Sequence, residues 1–253
     1  MKLIALMRVK NEIDLIRESL SRLSELADEI IIVDNGSTDG TERVYGEFPK
    51  VIKILETVGF NEGRDKIMLL SEAKTRHPDW LIFLDADEIF EKNFTRSDLE
   101  KYMSLKYDRI NFRLCHFWLG RRQCRWGKKY FLYSLQPLRC MWRNQPSVYF
   151  ADKRIHNGDI QGDFKKVYFS PYRLKHFGLI NRERILQKVN LYQSIDDSRN
   201  YDHLNPDRNV FTLPFIEFSN KFVNYLFILK LKYLEHFLWL LAVVYLKIFK
   251  PQK

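Results

Sequence analysis

The chain has 253 residues, of which 45% are hydrophobic and 29% are charged, so it has ample apolar material for a folded core and disorder is not the expected state. Its length fits one α/β domain with added elements. The formal net charge of +10 implies an anionic partner, whether nucleic acid, a lipid headgroup surface or a phosphorylated small molecule.

Short aliphatic runs alternate with longer amphipathic stretches over the first 84 residues, a pattern typical of βαβ units on a parallel sheet. Strands are predicted at residues 3–7, 29–33, 51–55 and 80–84. A helix is predicted between the first two strands, with Asn11 as its N-cap. A second helix should follow the turn-rich run 34–40, and a third should span about 61–76.

Beyond Asp85 the regularity weakens, and residues 108–117 and 130–138 are predicted as strands of a mixed sheet. Helical spacing returns over 181–198, and the polar segment 199–214 is predicted to be a loop. The sequence therefore predicts an α/β fold, a Rossmann-like mixed sheet flanked by helices. We expect one domain over 1–198, with halves 1–90 and 91–198, followed by the loop and a helical tail over 215–253.

The tail is rich in Phe, Tyr, Leu, Ile and Lys, but Lys230, Lys232 and Glu235 interrupt it. Placing these charges in the middle of a bilayer would cost about 8 kcal/mol. A helix lying in the membrane interface is therefore favoured over a spanning one. The alternative is a helix that packs on the domain or on a partner subunit.

Three cysteines, Cys115, Cys124 and Cys140, form no close CxxC pair, so they indicate neither a disulfide framework nor a zinc site. The first apolar run is too short for a signal peptide. We therefore expect a cytoplasmic protein that lies peripherally on the inner face of the cell membrane.

An acidic run, Asp85-Ala86-Asp87-Glu88, directly follows the predicted fourth strand. Ligands of open α/β sheets bind at the carboxyl ends of parallel strands. Two aspartates one residue apart in an extended chain point to the same side, so one can face a ribose and the other a metal ion. The alternative is a solvated acidic turn.

Three segments together resemble the family-two glycosyltransferases with the GT-A fold, of the kind that build bacterial cell-surface glycans. They are MRVKNE at 7–12, IVDNGSTDGT at 32–41 and DADE at 85–88, and they occur in the family's order and at strand ends. The resemblance is strong over about the first 100 residues and continues more weakly to Tyr192. It implies an enzyme that moves a sugar from a nucleotide-sugar donor to a hydroxyl of a glycan or lipid-linked glycan. A UDP-sugar is the favoured donor. It also implies inversion at the sugar and dependence on Mn²⁺ or Mg²⁺.

The resemblance further implies roles for single residues. The nucleotide-sugar would be bound by Asn11, Glu12, Asp34, Arg64 and Asp85. From the residues alone, Asp34 could instead be a helix cap and Arg64 a solvated surface arginine.

Asp87 is implied as the metal ligand and Glu88 as the residue facing the sugar. His176, in a His-aromatic-Gly element before a helix, is the candidate for a further metal ligand, because imidazole binds Mn²⁺ or Mg²⁺ beside carboxylate and diphosphate oxygens. A purely structural histidine is the alternative.

The base that deprotonates the acceptor is harder to assign, because Asn157 stands where related sequences carry Glu. An inverting displacement needs a carboxylate or imidazole at the acceptor hydroxyl. His156, Asp152 and Asp159 are the candidates; alternatively Asn157 marks a changed acceptor or a lost activity.

Nine basic residues between positions 121 and 154, together with nearby tryptophans, could receive a phosphorylated or acidic glycan, lie on an anionic membrane, or form a solvated face.

Two other functions compete with the transferase. A sugar nucleotidyltransferase would be expected to carry a glycine-rich loop after the first strand, and none is present. A glycan-binding protein on the same fold is the other alternative. Nucleic-acid binding has no motif in its favour.

Overall fold

The computed structural model describes residues 1–125, 137–155, 158–196, 200–207, 210 and 212–214. Within these residues, one mixed sheet of eight strands has the order β3-β2-β1-β4-β8-β6-β9-β5, and a separate two-stranded sheet pairs β7 with β10. The strands are β1 (Leu3–Val9), β2 (Glu29–Asp34), β3 (Val51–Glu56), β4 (Trp80–Asp85), β5 (Glu88–Phe90), β6 (Arg109–His116), β7 (Gln123–Arg125), β8 (Pro137–Arg143), β9 (Val167–His176) and β10 (Thr212–Pro214). The helices are α1 (Ile16–Leu26), α2 (Glu62–Lys74), α3 (Arg96–Ser104) and α4 (Arg182–Ile195).

The first half of the sheet is parallel, because β1 pairs with β2 and with β4, and β2 pairs with β3. Alternate residues of β1 enter two different cores: Leu3 and Met7 pack in the cluster that contains α1 and α3, whereas Leu6 packs with α2. Burial on both faces explains the nearly continuous aliphatic runs of these strands. All four strands predicted here are confirmed.

The second half of the sheet is mixed: β8 runs antiparallel to β4 and β6, and β9 runs parallel to β6 and antiparallel to β5. Its core contains aromatic rings packed edge to face or tilted, with Phe112 5.0 Å from Phe90 and 5.4 Å from Phe94 between ring centroids. The strand predicted at 108–117 is confirmed as β6. The strand predicted at 130–138 reaches the described part of the chain only at its end, where β8 begins. The α/β class with a mixed sheet flanked by helices is confirmed.

Three local predictions need correction. Asn11 does not cap α1, because the helix begins at Ile16 and Asn11 lies in the left-handed region with φ of 51°. The helix expected after the turn 34–40 is a 3₁₀ helix, Thr41–Glu47. The predicted loop 199–214 contains a short 3₁₀ helix, Asp202–Leu204, and the strand β10.

Two predicted helices are confirmed with their capping residues. In α2 the side chain of Asn61 accepts a hydrogen bond from the backbone N–H of Arg64, and in α4 Asn181 accepts one from Arg184. The tail over 215–253 lies outside the described residues. In the part of the chain that is described, none of the helices combines the length and apolarity that a membrane span requires.

Candidate active site

Strand register places the acidic run of residues 85–88 at the centre of the sheet's carboxyl edge. Asp85, the last residue of β4, lies opposite Arg8 of β1. Glu88, the first residue of β5, lies opposite His176 at the end of β9, and His176 in turn lies opposite His116 of β6. Pairing of four strands therefore brings carboxylates and imidazoles together from distant parts of the sequence.

Asp87, Glu88 and His176 form a cluster that could hold a metal ion, with one ligand atom from each residue and all three atoms within 4.8 Å of one another. Oδ2 of Asp87 lies 3.4 Å from Nε2 of His176. The backbone N–H of Phe177 donates to the carbonyl of Asp87 at 2.8 Å, which ties the acidic loop to the end of β9.

Several observations show that this cluster fits a divalent cation. Oδ1 of Asp87 and Oε1 of Glu88 are buried and accept no hydrogen bond within the described residues. A Cβ added to Gly178 would lie 2.5 Å from Oδ2 of Asp87 and 2.8 Å from Nε2 of His176, so the glycine lets these atoms approach one another, together with Nζ of Lys188. Carboxylate oxygens with an imidazole nitrogen are a donor set that suits Mn²⁺.

His116 orients the imidazole of His176. Their Nδ1 atoms lie 2.8 Å apart and share a hydrogen bond, which leaves Nε2 of His176 facing Asp87. Burial, followed by the charge of the neighbouring His176, holds the pKa of His116 well below its ordinary value. A hydrogen bond to the second ring nitrogen of a ligand histidine fixes its tautomer and orientation.

Two arginines hold the remaining carboxylates of the acidic run. Arg139 of β8 donates to both Asp85 and Glu88, each at 2.6 Å, and Nε of Arg8 lies 3.4 Å from Asp85. Burial acts to raise the pKa of Asp85, but Arg8 and Arg139 outweigh it and lower the pKa. For Glu88 burial prevails over Arg139 and raises the pKa.

Helix α4 contributes two further cations. Nζ of Lys188 lies 2.8 Å from Oδ2 of Asp87, and Nη1 of Arg184 lies 2.6 Å from Oε2 of Glu12. Although burial opposes the charge of Asp87, Lys188 and His176 hold its pKa well below the ordinary value. Burial and the charge of Asp87 raise the pKa of Glu12 to about 7 in spite of Arg184.

These side chains line a cavity of about 730 Å³, which is within the range of small-molecule sites. Its wall combines charged groups with the rings of Phe60 and Tyr192 and the apolar side chains of Leu179 and Leu204. The guanidinium of Arg8 lies 5.0 Å from the centroid of Phe60. The cavity therefore offers both apolar surfaces and concentrated charge to one ligand.

The cavity brings together most, but not all, of the residues predicted from sequence. Those that line it are Asn11, Glu12, Asp85, Asp87, Glu88 and His176. Asp34 and Arg64 are not in its wall. The carboxylate of Asp34 accepts hydrogen bonds from Ser37 N and Tyr45 Oη, and Arg64 donates to the carbonyls of Val58 and Gly59.

The candidate bases are less clearly placed. Asp159 pairs with Arg109 at 2.9 Å and is not among the residues of the cavity wall, although its neighbour Gly158 is. Asp152 is exposed. His156 lies outside the described residues, as does Asn157.

Sequence reasoning gave no site role to Arg8, Arg139 or Lys188. Arg8 carries a weak signal, since it is a charged residue within an otherwise apolar strand. Arg184 and Lys188 stand four residues apart on a predicted helix, which indicates a shared face but not what the face contacts. For Arg139 no local signal exists.

The mixed sheet flanked by helices, with an acidic run at the carboxyl end of β4 beside a charged cavity, matches the GT-A fold expected from the sequence. Residues 5–108 match the family described as Glycosyl transferase family 2. The predicted family and enzyme class are thus confirmed for residues 5–108, which make up less than half of the chain.

Solved structures of S. aureus TarS are similar in fold. TarS matches at 16% identity and a TM-score of 0.50, over 81% of this chain and 41% of TarS. TarS 1–349 matches at 15% identity and a TM-score of 0.50, over 81% of this chain and 68% of that one. The structure described as TarS 1–349 in complex with UDP-GlcNAc matches at 14% identity and a TM-score of 0.49, over 81% and 69%. The match thus spans less than half the length of TarS, and a search of curated protein sequences gives no match.

Proposed function

We propose that the protein transfers a sugar from a nucleoside-diphosphate sugar to a hydroxyl of a glycan or lipid-linked glycan, with the donor bound in the cavity. The observation that carries this proposal is the meeting of Asp87, Glu88 and His176 beside Arg8, Arg139 and Lys188 in one cavity. A nucleoside diphosphate needs cations for its phosphates and apolar walls for its base, and the cavity has both.

We propose that Asp87 and His176, with Glu88, bind Mn²⁺ or Mg²⁺. When bound, such an ion supplies positive charge for the departing diphosphate without any proton transfer. The chain's own residues have separate tasks: Arg139 fixes the carboxylates of Asp85 and Glu88, and His116 fixes the ring of His176. The metal ligands are therefore held in place by hydrogen bonds before the donor arrives.

For the donor, we propose that Asn11, Glu12 and Asp85 contact the nucleotide-sugar from the carboxyl ends of β1 and β4. All three line the cavity. Asp34 and Arg64 then support the donor site indirectly. Asp34 orders the turn after β2, and Arg64 orders the segment before α2. UDP-sugars are the first donors to test, as the family resemblance implies.

For the acceptor, we propose an inverting displacement in which His156 or Asp159 takes the proton of the attacking hydroxyl. Such a base has to lie within hydrogen-bond reach of that hydroxyl. To act as this base, Asp159 would have to release Arg109, so the ion pair with Arg109 would limit when Asp159 can accept a proton.

The transferase proposal is tested by turnover. Full-length protein is incubated with Mn²⁺ or Mg²⁺ and a panel of nucleotide sugars, and release of nucleoside diphosphate is measured with and without acceptor. We expect slow hydrolysis of one donor and a loss of at least about 100-fold in Asp87→Asn. Asp163→Asn, the same substitution at an exposed position, is the control. Absence of turnover with every donor, or full turnover by Asp87→Asn, would contradict the proposal.

We also propose that residues 215–253 attach the enzyme to an anionic membrane, because they combine aromatic residues with lysines. Co-sedimentation with vesicles that contain anionic lipid should fall to background when the chain is truncated before Phe215. Binding that persists after truncation would show that the attachment lies elsewhere.

A further inference from the structure

Helix α4 presents two cations to the cavity, and each one forms an ion pair with a carboxylate of the proposed donor site. Arg184 pairs with Glu12 at 2.6 Å and Lys188 pairs with Asp87 at 2.8 Å. Residues four apart lie on the same side of a helix, and both cations line the cavity. Acids of the site thus neutralise a cationic helix face that borders the cavity.

The ammonium of Lys188 lies where the proposed metal ligands converge. Oδ2 of Asp87 contacts both Nζ of Lys188 and Nε2 of His176. A Cβ on Gly178 would lie 2.5 Å from that oxygen, 2.8 Å from Nε2, and closer still to Nζ. An ammonium and a divalent cation within a few ångströms of each other repel strongly in a buried site. Oδ1 of Asp87 has no hydrogen-bond partner within the described residues, but His176 lies at Oδ2, the oxygen that Lys188 contacts. A divalent cation bound by both Asp87 and His176 would therefore lie within a few ångströms of Nζ and is expected to displace Lys188.

We propose that Lys188 is an exchangeable counter-ion of the donor site, an inference that rests on the proposed function. In the free protein Lys188 neutralises Asp87. When a divalent cation and a nucleoside diphosphate bind, Lys188 leaves Asp87 and pairs with a diphosphate oxygen. For a nucleoside-diphosphate sugar the charges balance, because the ion adds two positive charges and the diphosphate, esterified at both ends, adds two negative ones; free UDP adds about one more negative charge on its terminal phosphate. No charge is left buried without a partner, which would be costly.

One residue thereby has two opposite effects. Lys188 weakens the binding of a divalent cation when no nucleotide is present, since it competes for Asp87. The same ammonium strengthens the binding of the nucleotide once the cation is bound. A lysine with a fixed structural role would not show this reversal, because its loss would weaken both kinds of binding or neither.

The experiment measures the two affinities separately in the full-length protein. Binding of Mn²⁺ alone is followed by electron paramagnetic resonance, and binding of UDP at saturating Mn²⁺ is followed by calorimetry. Lys188→Met should bind Mn²⁺ alone at least about 10-fold more tightly and UDP at least about 10-fold more weakly than the wild type. Arg182→Met removes a charge from the exposed side of the same helix and should match the wild type in both measurements.

Lys188→Arg provides a second variant that keeps the charge and is expected to fold. A guanidinium can hold a carboxylate through two hydrogen bonds, so Asp87 should be released less easily and Mn²⁺ alone should bind more weakly than in the wild type. If Lys188→Met weakens both ligands or leaves Mn²⁺ binding unchanged, the inference is overturned. If Lys188→Met does not fold, equal or tighter Mn²⁺ binding by Lys188→Arg overturns it. A wild type that binds neither Mn²⁺ nor UDP would refute the proposed function itself.

Discussion

At the scale of single residues, the site is built from groups whose ionisation depends on one another. Glu12 is the clearest case, because burial and the charge of Asp87 raise its pKa to about 7, whereas Arg184 acts in the opposite direction. A carboxyl of an unfolded chain titrates near the ordinary value of about 4.3. Between these two values the folded protein binds more protons than the unfolded chain, so Glu12 makes stability fall as pH rises.

This predicts how Glu12→Gln changes the pH dependence of stability in metal-free protein. The contribution of Glu12 to the free energy of unfolding is fully present below the pKa that Glu12 has in the unfolded chain. It is lost as pH rises through about 7, the pKa in the folded protein. The difference in unfolding free energy, Glu12→Gln minus wild type, should therefore be about 2–3 kcal/mol larger at about pH 8 than at about pH 5. Urea unfolding at both values measures it. Glu183→Gln, at an exposed position of α4, should show no such trend, and a flat difference for Glu12→Gln would contradict the assignment.

Gly178 offers a second test at this scale. Its φ is not in the left-handed region, so the reason for a glycine is space and not backbone conformation. A methyl group at this position would crowd Nζ of Lys188 as well as Asp87 and His176. To separate the ligands from the competing lysine, Gly178→Ala is made in the Lys188→Met background, where it should weaken Mn²⁺ binding at least about 10-fold. Gly46→Ala is the matched control, because a Cβ there meets nothing within 4 Å. Unchanged Mn²⁺ binding by Gly178→Ala would show that the cation lies elsewhere.

At the scale of secondary structure, α4 is the element on which the donor site depends most. Asn181 starts the helix by accepting a hydrogen bond from the N–H of Arg184 at 2.8 Å. Ile185 anchors it in the core, while Val189 and Tyr192 pack more loosely. The helix is therefore held by its cap, by a narrow apolar contact and by the ion pairs of Arg184 and Lys188.

Removing the Asn181 cap should lower the stability of the protein and weaken UDP binding. Asn181→Ala is expected to lower the unfolding free energy by about 1 kcal/mol and to weaken UDP binding, because the first turn that carries Arg184 loses its order. Asn190→Ala makes the same substitution at an exposed position of α4 and should not destabilise the protein. Equal stability of the two variants in urea would contradict the role of the cap.

Sequence predicted the elements that are buried on both faces and missed those whose pattern depends on tertiary contacts. The runs of β1, β2 and β4 are apolar over most of their length, so their assignment needed no partner. In contrast, β9 alternates irregularly, contains Pro171 and shifts register against β6. Asn11 was assigned to α1 by local spacing, but its side chain accepts from the N–H of Thr38, 27 residues away, a contact that local pattern cannot reveal.

At the scale of the whole molecule, the acidic site is assembled from both halves of the sheet. The parallel half supplies Asp85 and Asp87, which sequence identified from their position after a buried strand. The mixed half supplies His176 and Arg139, and α4 supplies Lys188, which pairs with Asp87 across 101 residues. Resemblance to a family indicated His176, whereas the roles of Arg139 and Lys188 required the fold.

The net charge of +10 also takes on a more specific meaning at this scale. Arg8, Arg139, Arg184 and Lys188 lie around one cavity and are balanced by its acids. The anionic partner that the composition implied can therefore be a phosphorylated small molecule bound at this site. For the basic residues of segment 121–154 other than Arg139, and for the tail, contact with an acceptor or a membrane stays a prediction.

The most direct test of the central claim is the binding of UDP by calorimetry with and without Mn²⁺. We predict that the wild type and Asp163→Asn bind UDP in the presence of Mn²⁺. Asp87→Asn should bind it at least about 100-fold more weakly under the same conditions. Equal UDP affinity of Asp87→Asn and wild type, or no binding by the wild type, would contradict the assignment of this cavity as the donor site.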